Sequence, residues 1–180
     1  MSRGLLNDVT DCLAAAGVQY ALIGAGALAV HGVSRSTLDV DLFTTDAAVL
    51  DSAVWALVTA SSRIQVEIRR GDADDPLAGV VRITRAGERD IDVVVGRHGW
   101  QTDIVTRSLP VQLATLQLPV VGAADLILLK LYAGGPQDFW DIEQLMAREG
   151  RQDLCDDVAS RVGQLPRECQ ASWTRLVSGR

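Results

Sequence analysis

Apolar and polar positions recur with two different periods along this chain, and the change of period maps its elements. Leu5, Val9, Cys12 and Leu13 fall at helical spacing, predicting a helix over "GLLNDVTDCLAAAG" that stops at Gly17. "VQYALIG" predicts a buried strand, "AGALAVHG" a short small-residue helix stopping at Gly32, and "TLDVDLFT" the next strand. Asp46 is placed to cap a helix over "AAVLDSAVWALVTAS", with Leu50, Val54 and Leu57 on one face. Three β-like runs follow, "IQVEIRR", "GVVRITRA" and "RDIDVVVG", the first two joined by the turn-rich "GDADDPLAG". "QTDIVTRSL" reads as a helix and "VQLATLQLPVV" as a hairpin or edge strand. The last third is helical: "GAADLILLKLYAGG", "PQDFWDIEQLMAREG" with Pro136 in its first turn, "RQDLCDDVASRVG" and "PRECQASWTRLVSG".

The pattern changes near residue 122. It separates an α/β part, 1–121, from an all-helical part, 122–180, and the short connections predict that the two pack together. No apolar run approaches a membrane span; "AADLILLKLYA" is interrupted by Asp125 and Lys130. The first ten residues carry no signal-peptide pattern. Cys12, Cys155 and Cys169 are odd in number and lack CxxC spacing, which predicts a reducing, cytoplasmic setting without disulfides or a zinc site. The net charge of −6 argues against a broad surface that tracks nucleic-acid phosphates.

Chemistry concentrates in "STLDVDLFTT". Residues i and i+2 of a strand share a face, so Asp39 and Asp41 project together while Val40 and Leu42 project into the core. Two like charges so placed are costly unless a cation sits between them. Mg²⁺ suits the site, because hard divalent ions take carboxylate oxygens and share them with substrate phosphates. The strand–helix turn at Gly24, Ala25 and Gly26 lets a ligand approach the backbone and leaves free N–H groups facing an anion. "RDIDVVVG" supplies a further acid. Asp90 and Asp92 share a face there, and Asp92 lies deeper in the apolar run. Three carboxylates on neighbouring strands behind a small-residue turn are what phosphoryl transfer from a triphosphate requires.

These residues carry a resemblance. "LIGAGALAVHGVSRSTLDVDLF" resembles the motif of the nucleotidyltransferase (polymerase-β-like) superfamily: an apolar residue, a Gly turn, a helix-length spacer, Asp–apolar–Asp–apolar, then a later third acid. "HGVSRSTLDVDL" with "LLKLYAGGPQDFWDIEQL" is similar to bacterial minimal nucleotidyltransferases grouped with abortive-infection and type IV toxin proteins of the AbiEii kind. The likeness spans roughly residues 18 to 146. It implies an α/β (α+β) fold, with a small mixed sheet as catalytic core and a helical C-terminal subdomain. It also implies Mg²⁺, one or two ions, as cofactor, and an NTP such as ATP as substrate. By the resemblance Asp39, Asp41 and Asp92 are metal-binding and catalytic, with Asp92 the general base. Gly24 and Ala25 form the phosphate turn, Lys130 contacts phosphates, and Asp138 or Asp141 belongs to the acid pair of the following helix. Ala25 stands where the family shows Gly or Ser, so one hydroxyl is missing from the turn. The implied acceptor is RNA such as a tRNA end, or a protein, the enzyme then being a toxin with a cognate antitoxin. A small antibiotic-type acceptor, or a non-catalytic nucleotide-binding role, are the alternatives.

Other residues have two readings. Lys130 either snorkels from an apolar helix or meets a phosphate; Arg35 caps its loop or meets a phosphate. His31 reads as structural, favoured by the helix end it occupies. Asp138 and Asp141, spaced i, i+3, are exposed helix acids or bind a cation or ribose. Arg82, Arg85, Arg89 and Arg97 form a basic rim for RNA or are solvated edge-strand charges. Trp140 and Trp173 are expected to anchor helix packing.

Overall fold

A computed structural model describes residues 4–35, 39–60, 63–113, 116–148 and 150–179. Leu38, and with it the start of "TLDVDLFT", lies outside them. Helix α1 (Leu5–Ala15) buries Leu5, Val9, Cys12 and Leu13, the positions its periodicity marks. Strand β1 (Ala21–Leu22) is shorter than "VQYALIG" suggests, yet it is paired on both sides, antiparallel to β2 (Val40–Thr44) and parallel to β7 (Leu116–Val120). Between β1 and β2 lies α2 (Gly24–Val30). Strands β3 (Ile64–Arg70), β4 (Gly79–Arg85) and β5 (Ile91–Val95) form an antiparallel meander. β5 then joins β2 in parallel, and β6 (Leu109–Leu113) closes the far edge as a hairpin with β7. Among the described residues the sheet order is β3-β4-β5-β2-β1-β7-β6.

The stretch after β2 departs from the expected helix. It forms two 3-10 turns, Ala47–Leu50 and Ser52–Trp55, and one helical turn, α3 (Ala56–Thr59). Asp46 does cap, accepting from the Ala48 N–H, but Asp51 does the same for Ala53. Each aspartate holds its own backbone extended, and such local bonds compete with a continuous helix. Trp55 is consequently buried, its Nε1 donating to Val49 O at 2.7 Å, while Leu57 is turned outward.

Helix α4 (Gly99–Arg107) follows β5, and α5 (Ala123–Ala133), α6 (Pro136–Met146), α7 (Arg151–Arg161) and α8 (Arg167–Ser178) complete the chain. One continuous cluster of buried apolar side chains runs from Leu5 in α1 to Trp173 in α8. The buried carboxylate of Asp125 ties three helices together, accepting from Arg107 on α4 and Arg161 on α7. Trp173 is buried, and Trp140 is 44% exposed. The three cysteines are free and buried. No helix among the described residues is long and apolar enough to cross a membrane.

Candidate active site

The register of the sheet builds the site. In the parallel pair of β2 with β5, Asp41 stands directly opposite Asp92, flanked by Val40 opposite Ile91 and Leu42 opposite Val93. Ile91, Val93 and Leu42 are buried in the core, so the two acids share the other face. Asp39 immediately precedes β2 and its side chain is 40% exposed. Asp90 lies before β5 and uses its carbonyl to bind the Val40 N–H.

Gly24 follows β1 by one residue and opens α2 with φ +59°, a left-handed conformation that suits glycine. A Cβ at this position would stand 2.0 Å from Asp41 Oδ2. The turn and the carboxylate therefore interlock: the absent side chain of Gly24 is the space that Asp41 fills. The Ile23 N–H donates to Asp41 O at 2.9 Å, fixing the same pair of segments through the backbone.

Burial pushes the Asp41 carboxyl above its usual range, and the like charges of Asp92 and Asp39 push it further; Arg35 and Lys130 pull weakly the other way. This donor set fits a hard divalent cation, being all carboxylate, on adjacent strands, with one member short of positive charge. Among the described residues no three His, Cys, Asp or Glu side chains stand within reach of one ion in their present rotamers. Arg82 occupies part of that space. Its Nε and Nη2 donate to the two oxygens of Asp92 at 2.8 and 2.6 Å, and Nη2 lies 3.8 Å from Asp39.

A second network stands behind the first. The Asp141 carboxylate is fully buried and accepts from Lys130 Nζ at 2.6 Å, Arg35 Nη1 at 3.0 Å and Gln137 Nε2 at 3.2 Å. Lys130 also donates to Asp138 at 3.1 Å, and Asp138 accepts from the Gly135 N–H at the start of α6. The structure thus brings Arg35, Lys130, Asp138 and Asp141 into one cluster beside Asp41. Lys130 does not snorkel: it is buried and paired. Replacing Asp141 with alanine would leave that ammonium with a single carboxylate partner in the core. Asp141→Ala is expected to lower stability by about 3–5 kcal/mol, read as a reduced urea midpoint at unchanged slope.

The arginine rim is largely spoken for. Arg85 pairs with Asp8 and Glu88, Arg82 with Asp92, and Arg97 donates to the carbonyls of Asp72, Ala73 and Leu77, holding the β3–β4 loop. Arg82 and Arg85 stand on β4, an interior strand, so these two are not edge-strand charges. His31 matches its structural reading: it ends α2 and its Nε2 lies 2.8 Å from Val121 O. An unanticipated aromatic group, His98, Trp100 and Tyr132, joins the start of α4 to α5, with His98 Nε2 2.6 Å from the Tyr132 hydroxyl. Distances of this kind, between residues 34 apart in sequence, leave no local pattern to read.

No family model and no curated relative matches the sequence. Solved structures do match its backbone. The solution structure of the antibiotic-resistance factor ANT(2'')-Ia superposes with a TM-score of 0.53 at 10% identity, over 98% of this chain and 96% of that one. The crystal structure of ANT(2'')-Ia in complex with adenylyl-2''-tobramycin gives 0.55 at 10% identity, over 89% and 96%. The nucleotidyltransferase toxin MenT4 from Mycobacterium tuberculosis gives 0.51 at 17% identity, over 87% of this chain and 63% of that one. The chain has the nucleotidyltransferase fold. Asp41 on β2 stands against the turn at Gly24 and within electrostatic reach of Arg35 and Lys130.

Proposed function

We propose that the protein is a Mg²⁺-dependent nucleotidyltransferase that moves a nucleoside monophosphate from an NTP to an acceptor hydroxyl and releases pyrophosphate. The observation that carries this is the facing pair Asp41 and Asp92, with Asp41 seated in the space left by Gly24. Asp39, Asp41 and Asp92 would hold Mg²⁺, which when bound neutralises the triphosphate and acidifies the attacking hydroxyl. Backbone N–H groups at Gly24 and Ala25 would meet the phosphates, and Arg35, paired with Asp141 and about one-third exposed, would add a positive charge to them. Lys130 and Asp138 fix that edge of the nucleotide site. The acceptor oxygen attacks the α-phosphorus as the bond to the β-phosphate oxygen breaks, and Asp92 takes the hydroxyl proton.

The resemblance to toxin-like enzymes supports an RNA or protein acceptor and a cognate antitoxin, and MenT4, with which the fold is shared, is itself a nucleotidyltransferase toxin. A second reading, a small hydroxyl-bearing acceptor, is supported by two observations. The arginines near the site are mostly paired, leaving little to track a nucleic-acid backbone. A cleft of about 500 Å³, bordered by Glu67, Arg69, Asp75 and Arg82, opens beside Asp92. The discriminating experiment incubates the protein and Mg²⁺ with each α-labelled NTP and, separately, total tRNA, a cytosolic protein extract, or an aminoglycoside. Label on tRNA or protein supports the first reading and label on the aminoglycoside the second. No label on any acceptor, with the nucleotide untouched, counts against transferase activity.

A further inference from the structure

Across three strands of the open face stand a carboxylate, a guanidinium and a carboxylate. Antiparallel register puts Glu67 of β3 directly opposite Arg82 of β4, and Arg82 directly opposite Asp92 of β5. Directly opposed residues on one face are within side-chain reach of each other. Arg82 presently uses both arms of its fork on Asp92 and leans to within 3.8 Å of Asp39. Glu67, on its other side, is engaged among the described residues by Arg69, in a pair whose side chains are 75% and 57% exposed. Such an exposed pair is weak and easily exchanged. The Arg82 side chain is itself 44% exposed and borders the open cleft beside Asp92, which leaves it room to move.

We propose that Arg82 is the resident counter-cation of the carboxylate cluster, that a divalent ion must displace it from Asp92, and that Glu67 receives it when it moves. This rests on the assignment of Asp39, Asp41 and Asp92 as metal carboxylates. The physical argument is competition for the same oxygens and the same charge. A bidentate guanidinium occupies lone pairs on both Asp92 oxygens and places a full positive charge between Asp92 and Asp39. A dication cannot enter there without repelling it. Moving the guanidinium one strand over, to a carboxylate already facing it, removes the repulsion without stranding a charge. Arg82 thereby sets the metal concentration at which the site loads.

The test is Mn²⁺ binding to the full chain without nucleotide, followed by the electron paramagnetic resonance signal of free Mn²⁺. Arg82→Gln is expected to bind Mn²⁺ about tenfold more tightly than the wild type, because the competitor is gone. Glu67→Gln is expected to bind about threefold more weakly, because the displaced arginine loses its receiving carboxylate. Arg82→Lys, which keeps the charge and loses the fork, falls between the wild type and Arg82→Gln. Asp41→Asn is expected to abolish binding. If Arg82→Gln binds equally or more weakly while Asp41→Asn still abolishes binding, Arg82 supports the metal site and the displacement idea is wrong. If Asp41→Asn binds as the wild type does, the metal assignment itself fails. Thermal unfolding with and without Mn²⁺ gives the independent check: the metal-induced rise in Tm should be larger for Arg82→Gln than for the wild type.

Discussion

Asp41→Asn is expected to abolish nucleotidyl transfer, by about 10³-fold or more, and at the same time to stabilise the metal-free protein. Both effects come from one placement. The Asp41 carboxylate is largely buried, faces Asp92 across the parallel register and shares its face with Asp39, so its charged form is disfavoured in the fold. A group whose folded pKa is raised stabilises the protein while protonated. That contribution is present below the unfolded value near 3.8 and is lost as the pH climbs through the raised folded value. Metal-free wild type should therefore lose stability over that rise in pH, and Asp41→Asn should lose less. At neutral pH the variant is expected to melt about 2–4 °C higher, and Mg²⁺ should raise the Tm of the wild type alone. An asparagine protein that melts lower than the wild type at neutral pH would contradict the picture of a crowded acidic site.

The second large effect is expected at Gly24. Alanine there must adopt φ +59° and must put its methyl 2.0 Å from Asp41 Oδ2. The backbone strain and the collision together are expected to cost about 2–3 kcal/mol, and the displaced carboxylate to cost most of the activity. The two contributions separate in a double-mutant cycle. In an Asp41→Ala background the collision vanishes, so Gly24→Ala should cost only about 1 kcal/mol, read from chemical denaturation. Equal costs in both backgrounds would show that the turn and the carboxylate are not coupled.

How far the sequence reveals this site depends on how local each signal is. The alternation in "LDVDL" is local: it sets Asp41 on one face and Leu42 on the other, and the strand keeps that pattern. Helical spacing in α1, α5 and α6 is local too, and those helices appear where the periodicity puts them. The broken helix after β2 shows a competing local signal, since Asp51, inside the stretch predicted as one helix, caps a new turn instead. Partners across strands are different, because they depend on register between segments far apart. Asp41 meets Asp92 only because β5 crosses back beside β2 after two intervening strands. Arg82 was legible in principle: matching Ile83 with Ile91 and Val81 with Val93 around the Gly87 turn places it opposite Asp92. The burial of Lys130 was not, because its apolar helix gave equal room for an exposed ammonium, and only the meeting of α5 with α6 supplies Asp141.

The fold places the chemistry but leaves the reaction to be seen directly, and isotopic position in the nucleotide does so. With an acceptor mixture, Mg²⁺ and an NTP labelled at either the α- or the γ-phosphate, the wild type is expected to place α-label on the acceptor. The γ-label should appear only in pyrophosphate, in equal molar amount, and Asp41→Asn should do neither. Transfer of the γ-label, or α-label transfer that survives Asp41→Asn unchanged, would contradict nucleotidyl transfer at the Asp41–Asp92 face.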